Sequence, residues 1–159
     1  MIEIACATAL DALALSELER LCFSEPWSEK GLRETLSAIE AQGGGCFLAA
    51  KENGEIVGYG GMLYAADAAG VTNVAVSPDH RRRGIGRALM LGLIERAGED
   101  GMTVLQLEVR QSGTAARALY ESLGFVAVGR RKGFYRYPAE DAILMDLPLA
   151  EPKDHEKEE

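Results

Sequence analysis

The stretch from Val71 to Leu91, V-T-N-V-A-V-S-P-D-H-R-R-R-G-I-G-R-A-L-M-L, constrains this chain more than any other. Val71 to Ser77 is rich in β-branched residues and reads as a buried strand. Pro78 and Asp79 turn the chain. His80, Arg81, Arg82 and Arg83 follow, then Gly84-Ile85-Gly86 opens a helix whose apolar stripe is Ile85, Leu89, Leu93 and Ala97. That order suits a bound anion. A helix start has unpaired N–H groups and a partial positive charge, and phosphate fits it. Glycine lets a ligand approach the backbone. Two phosphate motifs are excluded: no Gly-Lys-Ser/Thr ending is present, and the third glycine of the dinucleotide fingerprint would fall on Leu89. The competing reading is a solvated charge run at a helix start.

Charge decides what kind of anion. The 159 residues carry a formal net charge of −8, which argues against general nucleic-acid binding. The basic cluster from Arg81 to Arg87 is local, so a small anionic ligand is expected there, and the acidic remainder would attract a basic peptide. Length and a 47% hydrophobic content suit one domain, expected over residues 1–149, with 150–159 as an acidic disordered tail. Cys6, Cys22 and Cys46 are scattered without metal-ligand spacing, so no metal is expected; they read as reduced, mostly buried thiols. No signal peptide and no membrane-length apolar run is visible, so a soluble cytoplasmic protein is expected, without membrane attachment.

The rest of the chain follows a βααβββαβαββ pattern. Ile2–Ala7 reads as an edge strand. Thr8 or Asp11 caps a helix with Leu10, Leu13, Ala14, Leu18 and Leu21 at helical spacing, and Ser28 caps a second one bearing Leu32, Leu36 and Ile39. Trp27 precedes that cap, either as a staple onto the first turn or as a substrate contact. Cys46–Lys51 and Glu55–Tyr64 read as a hairpin around Asn53-Gly54. Ala65–Gly70 reads as a loop of small residues. Thr103–Val109 is a strand with Leu105, Leu107 and Val109 on one face and Val104, Gln106 and Glu108 on the other. Ser112 or Thr114 caps a helix packing through Ala115, Ala118, Leu119 and Leu123, stopped by Gly124. Phe125–Arg130 and Ala142–Leu147 close the fold through a basic, aromatic loop. The class is α/β, a mixed sheet with helices on both faces.

Arg81-x-x-Gly84-x-Gly86 resembles the pyrophosphate-binding loop of the GNAT N-acetyltransferases. Leu107-Glu108-Val109-Arg110, Ala116–Phe125, Pro26–Lys30 and Glu140–Met145 are similar to the RimI-type branch, the bacterial ribosomal-protein alanine N-acetyltransferases. The resemblance covers about residues 2 to 148 and implies a central sheet with a splayed parallel strand pair. It also implies acetyl-coenzyme A as cosubstrate and a protein N-terminus, such as that of a ribosomal protein, as acceptor. The implied cofactor-binding residues are the backbone of Val74, Ala75 and Val76 for the pantetheine arm, and Arg81, Arg82, Arg83, Gly84, Ile85, Gly86 and Arg87 for the pyrophosphate. Gly113 replaces an asparagine that often touches the cofactor in the family.

Direct transfer to an amine needs a neutral nucleophile and a protonated leaving thiol. An α-amine has a pKa of about 7.7–8.0 and lysine about 10.4, so a carboxylate suffices as base for an N-terminus. The resemblance makes Glu108 that base; otherwise it is a rim carboxylate paired with an arginine. Tyr120 matches the family's proton donor; otherwise it is a helix tyrosine with a wet hydroxyl. Tyr135 and Tyr137 line the acceptor site or cover the core edge. The competing enzyme reading acetylates lysines or small amines. The competing non-enzyme reading is an acetyl-coenzyme A sensor, against which the presence of both Glu108 and Tyr120 argues. Cys46 has no basic partner near it in sequence to act as a nucleophile.

Overall fold

The computed structural model describes residues 1–149; the expected tail at 150–159 lies outside the described residues. The strands are β1 (Ile2–Cys6), β2 (Gly45–Glu52), β3 (Glu55–Ala65), β4 (Ala68–Val76), β5 (Val104–Arg110), β6 (Val126–Arg136) and β7 (Ala139–Pro148). The helices are α1 (Ala12–Cys22), α2 (Glu29–Gln42), α3 (Ile85–Glu99) and α4 (Thr114–Ser122). The order of elements is the expected one. Hydrogen-bonded neighbours run β1-β2-β3-β4-β5-β7-β6, a mixed sheet. Among the described residues no helix is long and apolar enough to cross a membrane.

The chain divides into two compact units. The first comprises Met1–Leu63 and Val71–Leu93. Its β1, β2 and β3 are antiparallel neighbours, and Asn53 and Gly54, both at positive φ, make the expected tight turn. One sheet face presents Phe47, Ala49, Tyr59 and Ala75 to Leu15 and Leu18 of α1 and Leu32 and Leu36 of α2. The opposite face takes α3. Gly58 and Gly60 make room there, since a Cβ at either would stand 3.2 Å from Ile85 or Leu93. Helices therefore cover both faces of this unit.

Several sequence expectations need correction here. The buried residues of α1 are Ala12, Leu15, Ser16, Leu18 and Glu19, while Leu10, Leu13 and Leu21 are exposed. The inward stripe runs through 12, 15, 16, 18 and 19 and includes two polar residues, so of the expected leucines only Leu18 faces the core. Thr8 and Asp11 share a capping box at the 3₁₀ turn before α1. Ser28 caps α2 as expected, accepting from Gly31 N–H at 3.0 Å. Val71–Ser77 is not a fully buried strand: only Ala75 of that stretch is buried. Cys46 is buried, Cys22 half-buried and Cys6 exposed, and none is disulfide-bonded.

The second unit comprises Tyr64–Gly70 and the residues from Ile94 on. Ala65–Gly70 is not a loop. Ala66, at φ 54, and Asp67 form a turn, and β4 already starts at Ala68. Its first residues, Ala68–Gly70, pair in parallel with Val104–Gln106, a ladder of three residues in keeping with the short pairing expected of a splayed pair. β5 then pairs with β7 in antiparallel fashion from Val104↔Pro148 to Arg110↔Ala142. β6 and β7 are longer than expected and absorb the basic, aromatic loop; register shifts follow Ala127 and Arg131. α4 buries no residue fully. Ala115 and Ala118 are exposed and Leu119 is half-buried, so its expected packing face is wrong. Its N-cap is Gly113, not Ser112 or Thr114.

Candidate active site

The arginine corner lies in the first unit. Ser77 N–H donates to the Val57 carbonyl at 2.8 Å, ending β4, and Pro78–His80 makes one 3₁₀ turn. Arg82 and Gly84 then adopt left-handed backbone at φ 65 and φ 78. Ala88 N–H donates to the Gly84 carbonyl at 3.0 Å, so the N–H groups of residues 85–87 precede the first helical bond of α3. A Cβ on Gly84 would meet no heavy atom within 4 Å. The backbone there faces open space, at the positive end of a helix. A ligand pyrophosphate fits this corner.

The arginines divide their work. Arg81 Nε donates to the Val76 carbonyl at 3.2 Å and its Nη2 lies 3.6 Å from Cys22 Sγ, bracing the end of β4. Arg83 makes a two-pronged pair with Glu52, at 3.2 and 2.5 Å, which holds the Glu52 carboxyl below the usual carboxylate range. Its side chain therefore shapes the loop from outside. Arg82 and Arg87 are exposed. Val74 and Val76 are half-buried and Ala75 is buried with its side chain in the α1–α2 core. Trp27 is half-buried with its ring 6.1 Å from that of Phe47 on β2, a packing contact with the sheet.

The second unit holds the carboxylate and the phenols. β5 alternates as expected: Leu105, Leu107 and Val109 are buried and Gln106 and Glu108 exposed. Tyr120, on α4, is half-buried with its ring 5.7 Å from Phe125. Desolvation pushes its phenol above the ordinary value, so it stays protonated at neutral pH. Tyr135, on β6, is pushed up to about 12, first by burial and then by the Glu108 charge, with Tyr120 contributing and Arg110 opposing. Glu108 and Tyr120 thus each act on Tyr135. Tyr137 is exposed.

Arg110 and Glu140 brace this neighbourhood, and sequence reasoning assigned neither a role there. The Arg110 guanidinium lies 4.2 Å from the centre of the Tyr135 ring. It donates to the carbonyls of Tyr137 and Pro138 at 3.0 Å and to Glu140 at 3.2 Å. Glu140 also accepts from Ser112 N–H, and these bonds, Ser112 first, hold its carboxyl below the usual range. The β5–α4 corner and the β6–β7 turn are tied together by this pair. Local sequence gives no signal for two partners 30 positions apart. Gly113 sits inside this corner, donating to the Arg110 carbonyl at 2.8 Å. A Cβ there would stand 3.2 Å from that carbonyl, a tight contact that would need a shift of a few tenths of an ångström.

A model of the acetyltransferase (GNAT) family matches residues 12–125. The chain belongs to the GNAT family. The [ribosomal protein bS18]-alanine N-acetyltransferase of Escherichia coli K12 is 37% identical over 142 residues, covering 88% of this chain and 93% of that protein. The N-alpha-acetyltransferase RimI of Mycobacterium tuberculosis is 32% identical, with 95% of each covered. The crystal structure of the Escherichia coli ribosomal-protein-S18-alanine N-acetyltransferase superposes with a TM-score of 0.85 at 35% identity over 97% of each chain. This GNAT protein is an acetyl-coenzyme A-dependent acetyltransferase. Among its described residues no group of three or more His, Cys, Asp or Glu is arranged to hold a metal ion.

Proposed function

We propose that this enzyme acetylates the N-terminal α-amine of a protein, with the N-terminal alanine of a small-subunit ribosomal protein as its first acceptor. The relatives named for that reaction span nearly the whole chain. The observation that carries the reading is that the chain presents both groups the reaction needs beside Tyr135: an exposed carboxylate, Glu108 on β5, and a desolvated phenol, Tyr120 on α4. Acetyl-coenzyme A supplies the acetyl group as a thioester. The Gly84 corner with Arg82 and Arg87 receives its phosphates, and the backbone of Val74–Val76 lies along its pantetheine arm, somewhat like an added strand. Glu108 takes the proton from the acceptor amine, directly or through one water, and Tyr120 holds the proton for the departing sulfur. Tyr135, kept neutral, and Tyr137 line the acceptor side. A cytoplasmic setting belongs to the proposal and keeps the three thiols reduced.

A pH–rate comparison of wild type and Glu108→Gln on free and N-terminally blocked peptides tests it. An α-amine is largely charged below about pH 7.7, so Glu108→Gln slows acetylation most at neutral pH and recovers as pH rises. Blocked peptides bearing internal lysines stay poor substrates throughout. Faster turnover of the blocked peptides refutes the N-terminal reading, and equal loss at every pH reassigns Glu108 to positioning the amine.

A further inference from the structure

Glu19 is fully buried on α1. Its carboxylate accepts from three groups on three different segments: the backbone N–H of Trp27 at 2.9 Å, the side-chain amide of Asn73 on β4 at 2.8 Å, and the hydroxyl of Tyr59 on β3. Burial and the adjacent Glu19 charge hold the Tyr59 phenol protonated, well above its ordinary value, which fixes the direction of that bond. The rings of Trp27, Phe47 and Tyr59 stack in series at 6.1 and 6.0 Å, so Glu19 closes a polar ring around an apolar stack. Stability alone does not call for a carboxylate here, because apolar residues of similar size often serve a buried site as well or better. What a fully satisfied carboxylate adds is fixed geometry. Asn73 is the residue immediately before Val74–Val76, and three residues before the carbonyl that Arg81 grips.

We propose that Glu19 is a positioning residue of the cofactor site: through Asn73 it fixes the Val74–Val76 backbone in the position that receives the pantetheine arm. This rests on the reading of Val74–Val76 given above. Arg81 holds the strand's end from the phosphate side, and Glu19 holds the strand at Asn73, just before Val74. With Asn73 released, the Val74–Val76 backbone loses its fixed position while the phosphate corner, braced by Arg81 and Arg83, keeps its shape.

Calorimetric titration with two ligands tests the proposal. Acetyl-coenzyme A has the pantetheine arm, whereas 3′-phosphoadenosine 5′-diphosphate has the phosphates without it. Asn73→Ala and Glu19→Ala are expected to weaken acetyl-coenzyme A about tenfold, as loss of a bond to a charged group does, and to leave the diphosphate unchanged. Glu19→Gln, which keeps the side-chain shape and an oxygen acceptor, restores part of the loss. Trp27 is the sole tryptophan, so its emission reports the clasp directly, and Glu19→Ala is expected to shift it to the red. If Glu19→Ala fails to fold, Glu19→Gln and Asn73→Ala carry the comparison. Equal weakening of both ligands means general damage and overturns the proposal, as do unchanged affinities for both or an unshifted emission in folded Glu19→Ala. A wild type that does not bind acetyl-coenzyme A refutes the parent reading and this inference with it. A wild type that binds it with variants that bind equally well refutes only the role of Glu19.

Discussion

Tyr120→Phe separates catalysis from packing. The substitution removes one oxygen and leaves the ring, which keeps its tilted contact with Phe125 at 5.7 Å. That hydroxyl is already desolvated, as its raised pKa records, so removing it costs little stability and the unfolding midpoint should stay within a few degrees of wild type. Turnover behaves differently. A positioned proton donor contributes about 10²–10⁴-fold. At about 1.4 kcal/mol per tenfold, this corresponds to roughly 3–6 kcal/mol of barrier. Desolvation raises the phenol, so the acid stays loaded to higher pH than a free tyrosine, beyond about pH 10. Single-turnover acetylation of a saturating free peptide, followed from pH 6 to 10, reads both effects. We expect Tyr120→Phe to be about 100-fold or more slower across that range, with acetyl-coenzyme A affinity nearly unchanged. A rate within a few-fold of wild type, or a loss that tracks weaker cofactor binding, would refute Tyr120 as the acid.

The remaining expectations are simpler to read. Gly84→Val places a β-branched side chain at φ 78 and in the open space beside the helix start, so the thermal shift given by acetyl-coenzyme A should vanish; a shift of wild-type size would remove the phosphate assignment. Gly61→Ala brings a Cβ to 2.5 Å from the Phe47 ring, which Trp27 and Tyr59 hemmed in on either side, and should destabilise the protein by about 1–3 kcal/mol in denaturant titrations. Glu140 has a depressed pKa, so its contribution is present above the unfolded value and lost as pH falls through the folded one. The melting curves of wild type and Glu140→Gln should therefore differ at neutral pH and converge in acid; a constant gap would refute the clamp.

What the sequence made legible was whatever a short window carries. Asn53-Gly54 announces its turn, Ser28 its cap, and β5 shows its two faces by strict alternation. The arginine corner was legible because strand, turn, glycine and helix start follow one another without interruption. The start of β4 was hidden because Ala65–Gly70 has no side-chain period, and its turn uses an alanine at positive φ, which no propensity favours. The inward face of α1 was misread because the chain offers more leucines than that face can bury, and fills the stripe with Ser16 and Glu19 instead. Both clasps, Glu19 with Tyr59 and Asn73, and Arg110 with Glu140, join residues far apart in sequence. Only folding reveals them.

The α4 helix has nine residues and buries none of them fully. Its ends hold it. At one end Gly113 and Ser112 are anchored to Arg110 and Glu140; at the other, Gly124 at φ 104 turns the chain and Phe125 N–H returns to the Tyr120 carbonyl at 3.0 Å. A helix secured this way opens when its anchors open, not residue by residue. The amides of α4 should therefore exchange with solvent in step with those of the β6–β7 turn, and slower than an isolated peptide of the same sequence. Tyr120 would then belong, in its opening behaviour, to a hairpin whose turn is nearly twenty positions further along the chain. Changes in that hairpin would alter how often the phenol is in place without touching the phenol itself.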